Sequence, residues 1–158
     1  LTLFEKRTAE ADLPFFAAAM THVAARGVPA PAPISDTRGR MFSRLCGRPA
    51  AMFTFLEGRQ RLAPSVSDCR AMGALNARLH LAAAGFGPTR ENALALPGWR
   101  ALADKCRARA DEAAPGLAAL IEDELGFLAA NWPSAAPLGL IHADLFPDNV
   151  FFLGDAVS

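Results

Sequence analysis

The stretch His142-Ala-Asp-Leu-Phe-Pro-Asp-Asn149 constrains the chain more than any other. It sets two acids, a proline and an amide between two apolar runs, Leu138-Gly-Leu-Ile141 and Val150-Phe-Phe-Leu153. Apolar runs of that length bounded by turn formers predict short strands, so the polar segment is predicted to be a loop held at both ends. Pro147 fixes its own φ and biases Phe146 towards extended backbone, which gives the loop a defined shape. Asp, Pro and Asn are also ordinary turn formers, and a turn without chemistry is the competing reading.

The residue types favour chemistry. A carboxylate ionised at neutral pH can take the proton of a hydroxyl that is becoming a nucleophile, and Asp144 is the candidate base. Asn149 offers a neutral carbonyl oxygen, a hard ligand suited to Mg²⁺. Because Mg²⁺ prefers oxygen, His142 is expected to support the loop by bonding nearby backbone rather than to bind metal. A base and a metal ligand on one loop are what phosphoryl transfer requires, since there the protein mostly positions reactants and neutralises charge. The protein-kinase catalytic loop, H-R-D-L-x-x-x-N, has His, Asp, Leu and Asn at this spacing, and here Ala143 replaces its Arg.

The 158 residues carry 16 basic and 16 acidic side chains, which gives no electrostatic case for nucleic acid or an anionic membrane. No run approaches the roughly 20 apolar residues a spanning helix needs. Cys46, Cys69 and Cys106 form no C-x-x-C pair, which suggests reduced thiols and a cytoplasmic setting. The first residue is Leu1 rather than Met, and the chain is read as part of a longer one.

Leu1 to Phe4 alternate like the end of a strand. A helix is predicted from Asp12, which can cap it, with Pro14 in its first turn and Phe15, Phe16, Met20 and Val23 at helical spacing, ending at Gly27. Pro29, Pro31 and Pro33 predict a stiff extended connector. Residues 40–45 and 50–56 predict a hairpin around Gly47, whose second strand stops at Glu57-Gly58. Ser65 or Ser67 then caps a helix with Val66, Cys69, Met72, Leu75 and Leu79 on one face. His80, without a partner, reads as a helix-surface residue. Two more helices are predicted: Pro97 to Ala113, with Trp99, Leu102 and Cys106 on one face, and Pro115 to Trp132, built on Leu117, Leu120, Ile121, Leu125 and Leu128. Asp104, Asp111, Glu112, Glu122, Asp123 and Glu124 are read as a solvated face rather than a metal site.

The order strand, helix, hairpin, linker, helices, H-x-D loop resembles the protein-kinase-like fold of the aminoglycoside phosphotransferase and choline kinase superfamily. Within it, Leu1-Thr-Leu-Phe-Glu-Lys-Arg7, Thr54-Phe-Leu-Glu-Gly58, Ala77-Arg-Leu-His-Leu-Ala82 and above all residues 140–155 resemble the bacterial homoserine kinase family. The resemblance implies an α+β two-lobe fold, incomplete here. Residues 1–57 would be part of the N-lobe, and residues 58–158 part of the C-lobe. It implies transfer of the γ-phosphoryl of ATP, with Mg²⁺, to the hydroxyl of L-homoserine in threonine biosynthesis. Asp144 would be the base and Asn149 a metal ligand, with His142 and Pro147 supporting the loop. The backbone of Phe55 and Leu56 would meet adenine, and Arg90 and Asn92 would be candidates for the carboxylate or amine of the acceptor.

Against the family pattern, Thr2 stands where a nucleotide-binding Lys is expected, and Lys6 is the nearest cation. The loop covering the phosphates is expected upstream. An Asp carrying the main Mg²⁺ carboxylate is expected within about 5 to 12 residues after Ser158, and without it the chain is expected to be inactive alone. The alternatives are a kinase of the same fold acting on an aminoglycoside or choline, and a non-catalytic nucleotide-binding module. A protein kinase is disfavoured by Ala143, and by Phe146 where Ser/Thr kinases commonly carry Lys.

Overall fold

The computed structural model describes residues 1–5 and 8–158, so Lys6 and its possible part in phosphate pairing lie outside the described residues. By compactness the chain falls into two units, residues 1–88 with 139–158, and residues 89–138. The predicted lobe boundary at Glu57-Gly58 falls within the first unit.

In the first unit, β4 (Arg48–Phe53) is the strand every neighbour uses. It pairs antiparallel with β1 (Thr2–Leu3), β2 (Pro33–Ile34) and β3 (Ser43–Leu45). Leu45 lies opposite Arg48, leaving Cys46 (φ +50°) and Gly47 (φ +74°) as a two-residue turn. Positive φ at both central positions is the type I′ geometry whose twist matches a hairpin. The predicted second strand was to run to Leu56 but stops at Phe53, and β3 starts at Ser43 rather than Arg40. The proline-rich connector ends in β2, which the sequence reading missed. Pro33 sits there opposite Phe53, where a residue with no N–H to offer is tolerated at a sheet edge.

Helix α1 (Leu13–Ala24) carries Pro14 in its first turn as predicted. Its N-terminal boundary residue Asp12 makes no side-chain cap bond; a 3-10 turn, Glu10–Asp12, leads into the helix instead. The helix ends through Gly27 (φ +78°), with the Val28 N–H reaching back to the Val23 carbonyl at 3.2 Å. Helix α2 (Val66–Ala82) begins with a capping box: the Ser65 hydroxyl accepts from Asp68 N, and the Asp68 carboxylate accepts from Ser65 N.

The inward stripe of α2 differs from the predicted one. Val66 and Cys69 are exposed, whereas Asp68, at 5% exposure, occupies the inward position of the first turn. Met72, Leu75 and Leu79 continue the stripe as predicted. Leu75 packs with Val23 and Val28 to form a core onto which Met72, Leu79, Ala82, Leu140 and Val157 close. The Arg78 guanidinium donates to the Gly27 carbonyl at 2.8 Å, tying α2 to the end of α1.

A second antiparallel sheet completes this unit: β5 (Arg59–Gln60), β6 (Phe151–Leu153) and β7 (Ala156–Val157), in that order. Of the two strands predicted around the acidic loop, only the later one, β6, forms. Leu138 to Ile141 adopt no regular structure. Leu138 and Ile141 are exposed, and no strand lies beside them among the described residues, so their backbone has no ladder to join.

In the second unit, α3 (Leu96–Ala113) packs on α4 (Leu117–Asn131). Trp99 faces inward as predicted, whereas Leu102 and Cys106 are exposed, and Ala103 and the buried Ala110 complete the inward face of α3. On α4, Leu125 is buried and Leu117, Ile121 and Leu128 are half-buried, while Leu120 points outward. Trp99 and Trp132 meet edge to face with centroids 5.7 Å apart.

Four of the six acids read as a solvated face take ion pairs or a backbone bond. Glu122 pairs with Arg100 and Arg107, Asp104 with Arg107, and Glu112 with Arg109. Asp111 accepts from Ala118 N in the first turn of α4 at 2.8 Å. The Arg100 side chain, then the charge of Arg107, hold the Glu122 carboxyl below its usual range.

Candidate active site

The polar loop is suspended between two packed residues, Leu140 on the core of α1 and α2 and Val150, which is 7% exposed. Between them the chain is exposed except at Leu145 and Pro147, which are half-buried. Four internal features hold its shape. Ala143 has φ +65°, a left-handed conformation that costs a residue with a Cβ about 1 kcal/mol and turns the chain sharply between His142 and Asp144. His142 Nδ1 accepts from Asp144 N at 3.3 Å, the supporting role expected of it. Phe146 is extended (φ −74°, ψ 158°), as a residue before proline should be, and Pro147 starts a 3-10 turn, Pro147–Asn149, closed by Asn149 N donating to Phe146 O at 2.9 Å.

The fourth feature joins the two residues proposed for chemistry. Asn149 Nδ2 donates to Asp144 Oδ2 at 2.9 Å and to the Asp144 carbonyl at 2.8 Å. Both donors of the amide are thereby used on Asp144, and the Asn149 carbonyl oxygen is left to accept or to ligate. Asp144 Oδ1 makes no hydrogen bond among the described residues. His142, Asp144, Pro147 and Asn149 lie together on one loop that is exposed except at Leu145 and Pro147.

The donor set fits Mg²⁺ in kind, being hard oxygen from Asn149 beside a carboxylate. Among the described residues no group of three or more His, Cys, Asp and Glu is arranged to hold a metal ion.

Phe55 and Leu56 lie in the irregular segment between β4 and β5. The Phe55 side chain is 89% exposed, and among the described residues no hydrogen bond engages the backbone of either residue. Their N–H and C=O groups are open to a planar ligand with donors and acceptors on its edge. Thr54, just before, is fixed: its N–H donates to Ala32 O at 2.9 Å, and its hydroxyl accepts from Ala32 N at 2.9 Å.

Arg90 and Asn92 fall in the other compact unit. The Asn92 carboxamide oxygen accepts from Leu94 N at 2.9 Å and so shapes the turn before α3, while Arg90 donates to Glu91 O at 3.4 Å.

The sequence reading missed the support beneath the loop. Arg61 pairs with the buried Asp68, donates to the Gly154 carbonyl, and lies with its guanidinium carbon 4.6 Å from the centre of the Phe152 ring. The Ser65 backbone N–H and hydroxyl, together with the Arg61 charge, hold the Asp68 carboxyl below the ordinary range of an aspartate. The signal was the acid three residues after Ser65, half of a capping-box pattern.

The sequence model of the phosphotransferase enzyme family matches residues 1–158. Curated relatives bear the name homoserine kinase. The protein of Allorhizobium ampelinum is 54% identical over 158 residues, covering 100% of this chain and 49% of its own length. That of Methylocella silvestris is likewise 54% identical with the same coverage, and that of Rhodopseudomonas palustris is 52% identical over 159 residues. The chain spans about half the length of the curated relatives it matches.

Proposed function

The chain belongs to the phosphotransferase enzyme family, and on that basis we propose that the protein containing it transfers the γ-phosphoryl group of ATP to the hydroxyl of L-homoserine, giving O-phospho-L-homoserine for threonine biosynthesis. The observation that carries the reading is the pairing of Asp144 with Asn149 on a loop anchored at both ends. The family likeness supplies the nucleotide, and the name shared by relatives above 50% identity supplies the acceptor.

In this reading Asp144 takes the proton of the homoserine hydroxyl as the new O–P bond forms, and the bond to the leaving ADP oxygen breaks. Asn149 holds Asp144 through its amide and offers its carbonyl oxygen to Mg²⁺, which when bound offsets charge on the phosphates. The open backbone of Phe55 and Leu56 receives adenine at a hinge between an N-lobe part, residues 1–57, and a C-lobe part, residues 58–158. Arg90 and Asn92 stand only as candidates for the carboxylate or amine of the amino acid. Three free, exposed cysteines accord with a cytoplasmic enzyme acting on small molecules.

Following ATP-dependent phosphorylation of homoserine, choline and kanamycin by the intact protein tests this. Turnover of homoserine is expected, and turnover of another acceptor without homoserine would overturn the reading. An absence of all turnover with nucleotide binding retained would favour a binding module.

A further inference from the structure

Residues 57–61 follow the segment proposed to meet adenine and lead through β5 to α2. Each of these residues touches β6, the loop that precedes it, or the residue that follows β7. The Glu57 carbonyl accepts from the Ser158 hydroxyl. Gly58 lies so close to β6 that a Cβ there would stand 3.0 Å from the Phe152 carbonyl oxygen. Arg59 and Gln60 pair with Phe152 and Phe151. Arg61 reaches over the Phe152 ring to the Gly154 carbonyl while its other nitrogen holds Asp68 at the start of α2. The Gln60 side chain extends past the strand pair, its Nε2 donating to the main-chain carbonyl of Asp148 at 2.6 Å.

That carbonyl belongs to the residue before Asn149, in the 3-10 turn whose position sets the Asn149 amide, which in turn holds Asp144. We propose that residues 57–61 form a strut tying the nucleotide hinge to the catalytic loop, with Gln60 the positioning residue that sets Asn149 and, through it, Asp144. This rests on the phosphotransferase reading above for its consequence in turnover, though not for its consequence in loop order. The hydrogen bond is exposed, so its value lies in placement rather than stability: a displacement of the order of 1 Å at the base can cost about a hundredfold in rate, whereas an exposed polar contact adds little to folding. The segment also makes the two halves of the site interdependent. The backbone meeting adenine at Phe55 and Leu56 continues directly into residues that hold the loop beneath the acceptor hydroxyl.

The test is a Gln60 series in the intact protein, read by turnover, KM for ATP, thermal midpoint and amide hydrogen exchange across residues 144–150. Gln60→Met keeps length and loses the donor, Gln60→Glu replaces the donor with acceptors, and Gln60→Lys restores a donor able to reach the carbonyl. The Met and Glu variants are expected to lose roughly tenfold in kcat with KM for ATP and thermal midpoint kept, and to exchange loop amides faster, while the Lys variant returns towards wild type. Wild-type turnover and loop exchange in all three variants would overturn the proposal, as would a Lys variant as impaired as the Met variant, or kcat falling only in step with the thermal midpoint. If wild type fails to phosphorylate homoserine, the functional reading falls by itself. Loop exchange still decides the strut, because faster exchange in the Met variant reversed by Lys supports it, and unchanged exchange rejects it.

Discussion

Replacing Gly58 by alanine is expected to destabilise the protein by several times what an ordinary surface substitution costs. Gly58 has φ +139°, a region side chains rarely enter, and holding a residue with a Cβ there costs on the order of 1–3 kcal/mol. The added Cβ would stand 2.6 Å from Ser158 Oγ, 3.0 Å from the Phe152 carbonyl oxygen and 3.1 Å from its carbon. The serine hydroxyl can rotate away, giving up its bond to the Glu57 carbonyl at about 1 kcal/mol. The Phe152 carbonyl cannot, since it belongs to β6, which is paired on both sides with β5 and β7. Alanine also loses less chain entropy on folding than glycine, but only about 0.4–1 kcal/mol, which does not offset these costs. A net loss of roughly 2–4 kcal/mol follows, read as a lower urea midpoint at unchanged m. The matched control is Gly73→Ala in α2, where nothing lies within 4 Å of the new Cβ and a gain of about 0.5–1 kcal/mol is expected. A Gly58→Ala protein within about 0.5 kcal/mol of wild type would refute the close approach of hinge and β6.

Asp144→Asn in the intact protein is expected to lower turnover by ~10²-fold or more with ATP binding kept, measured by steady-state kinetics beside a nucleotide thermal shift. Asn149→Asp would set a second carboxylate where the amide now donates at 2.9 Å; like charges that close cannot both ionise, so the acid limb of the kcat–pH profile moves upward and KM for Mg²⁺ changes with it. Because Asp68 has its carboxyl held below the ordinary range, its contribution is full above about pH 4 and is lost as pH falls through the lowered folded value. The stability gap between wild type and Asp68→Asn should accordingly close as urea midpoints are followed from pH 7 to strong acid. Leu75→Ala, in the core with Val23 and Val28, should cost about 2–5 kcal/mol by the same measurement.

Much of the fold could be read from local chemistry. Ser65 announces the start of α2, Gly27 the end of α1, and Gly47 the hairpin, because each is a short-range requirement of backbone or cap. What escaped reading depends on partners distant in sequence. The pair Arg59-Gln60 has no strand signature, and it is a strand because β6 lies beside it. The run Leu138 to Ile141 has the signature and no partner, so it stays irregular. Asp68 shows the same limit on helix α2. Periodicity gave the inward positions of the first turn to Val66 and Cys69, yet a carboxylate with Arg61 and Ser65 to satisfy it takes that place and turns the stripe.

The site itself was legible in its residues and not in its support. His142, Asp144, Pro147 and Asn149 follow from spacing, but spacing is silent on how an exposed loop holds its geometry. Two physical answers are visible. The ends are fixed by Leu140 and Val150, so ordering the residues between them costs less than closing a free loop would. Within the loop, each polar group serves a second purpose: Asn149 spends its donors on Asp144 and keeps its acceptor, and His142 spends Nδ1 on the backbone of Asp144. The left-handed Ala143 is the one costly conformation among these, and it lies at the residue whose turn sets the direction of Asp144. A loop that only reversed the chain would have no need of that strain or of an amide bonded to both the carbonyl and the carboxylate of one aspartate, and this supports the proposal of proton transfer at Asp144 over a turn of the same composition.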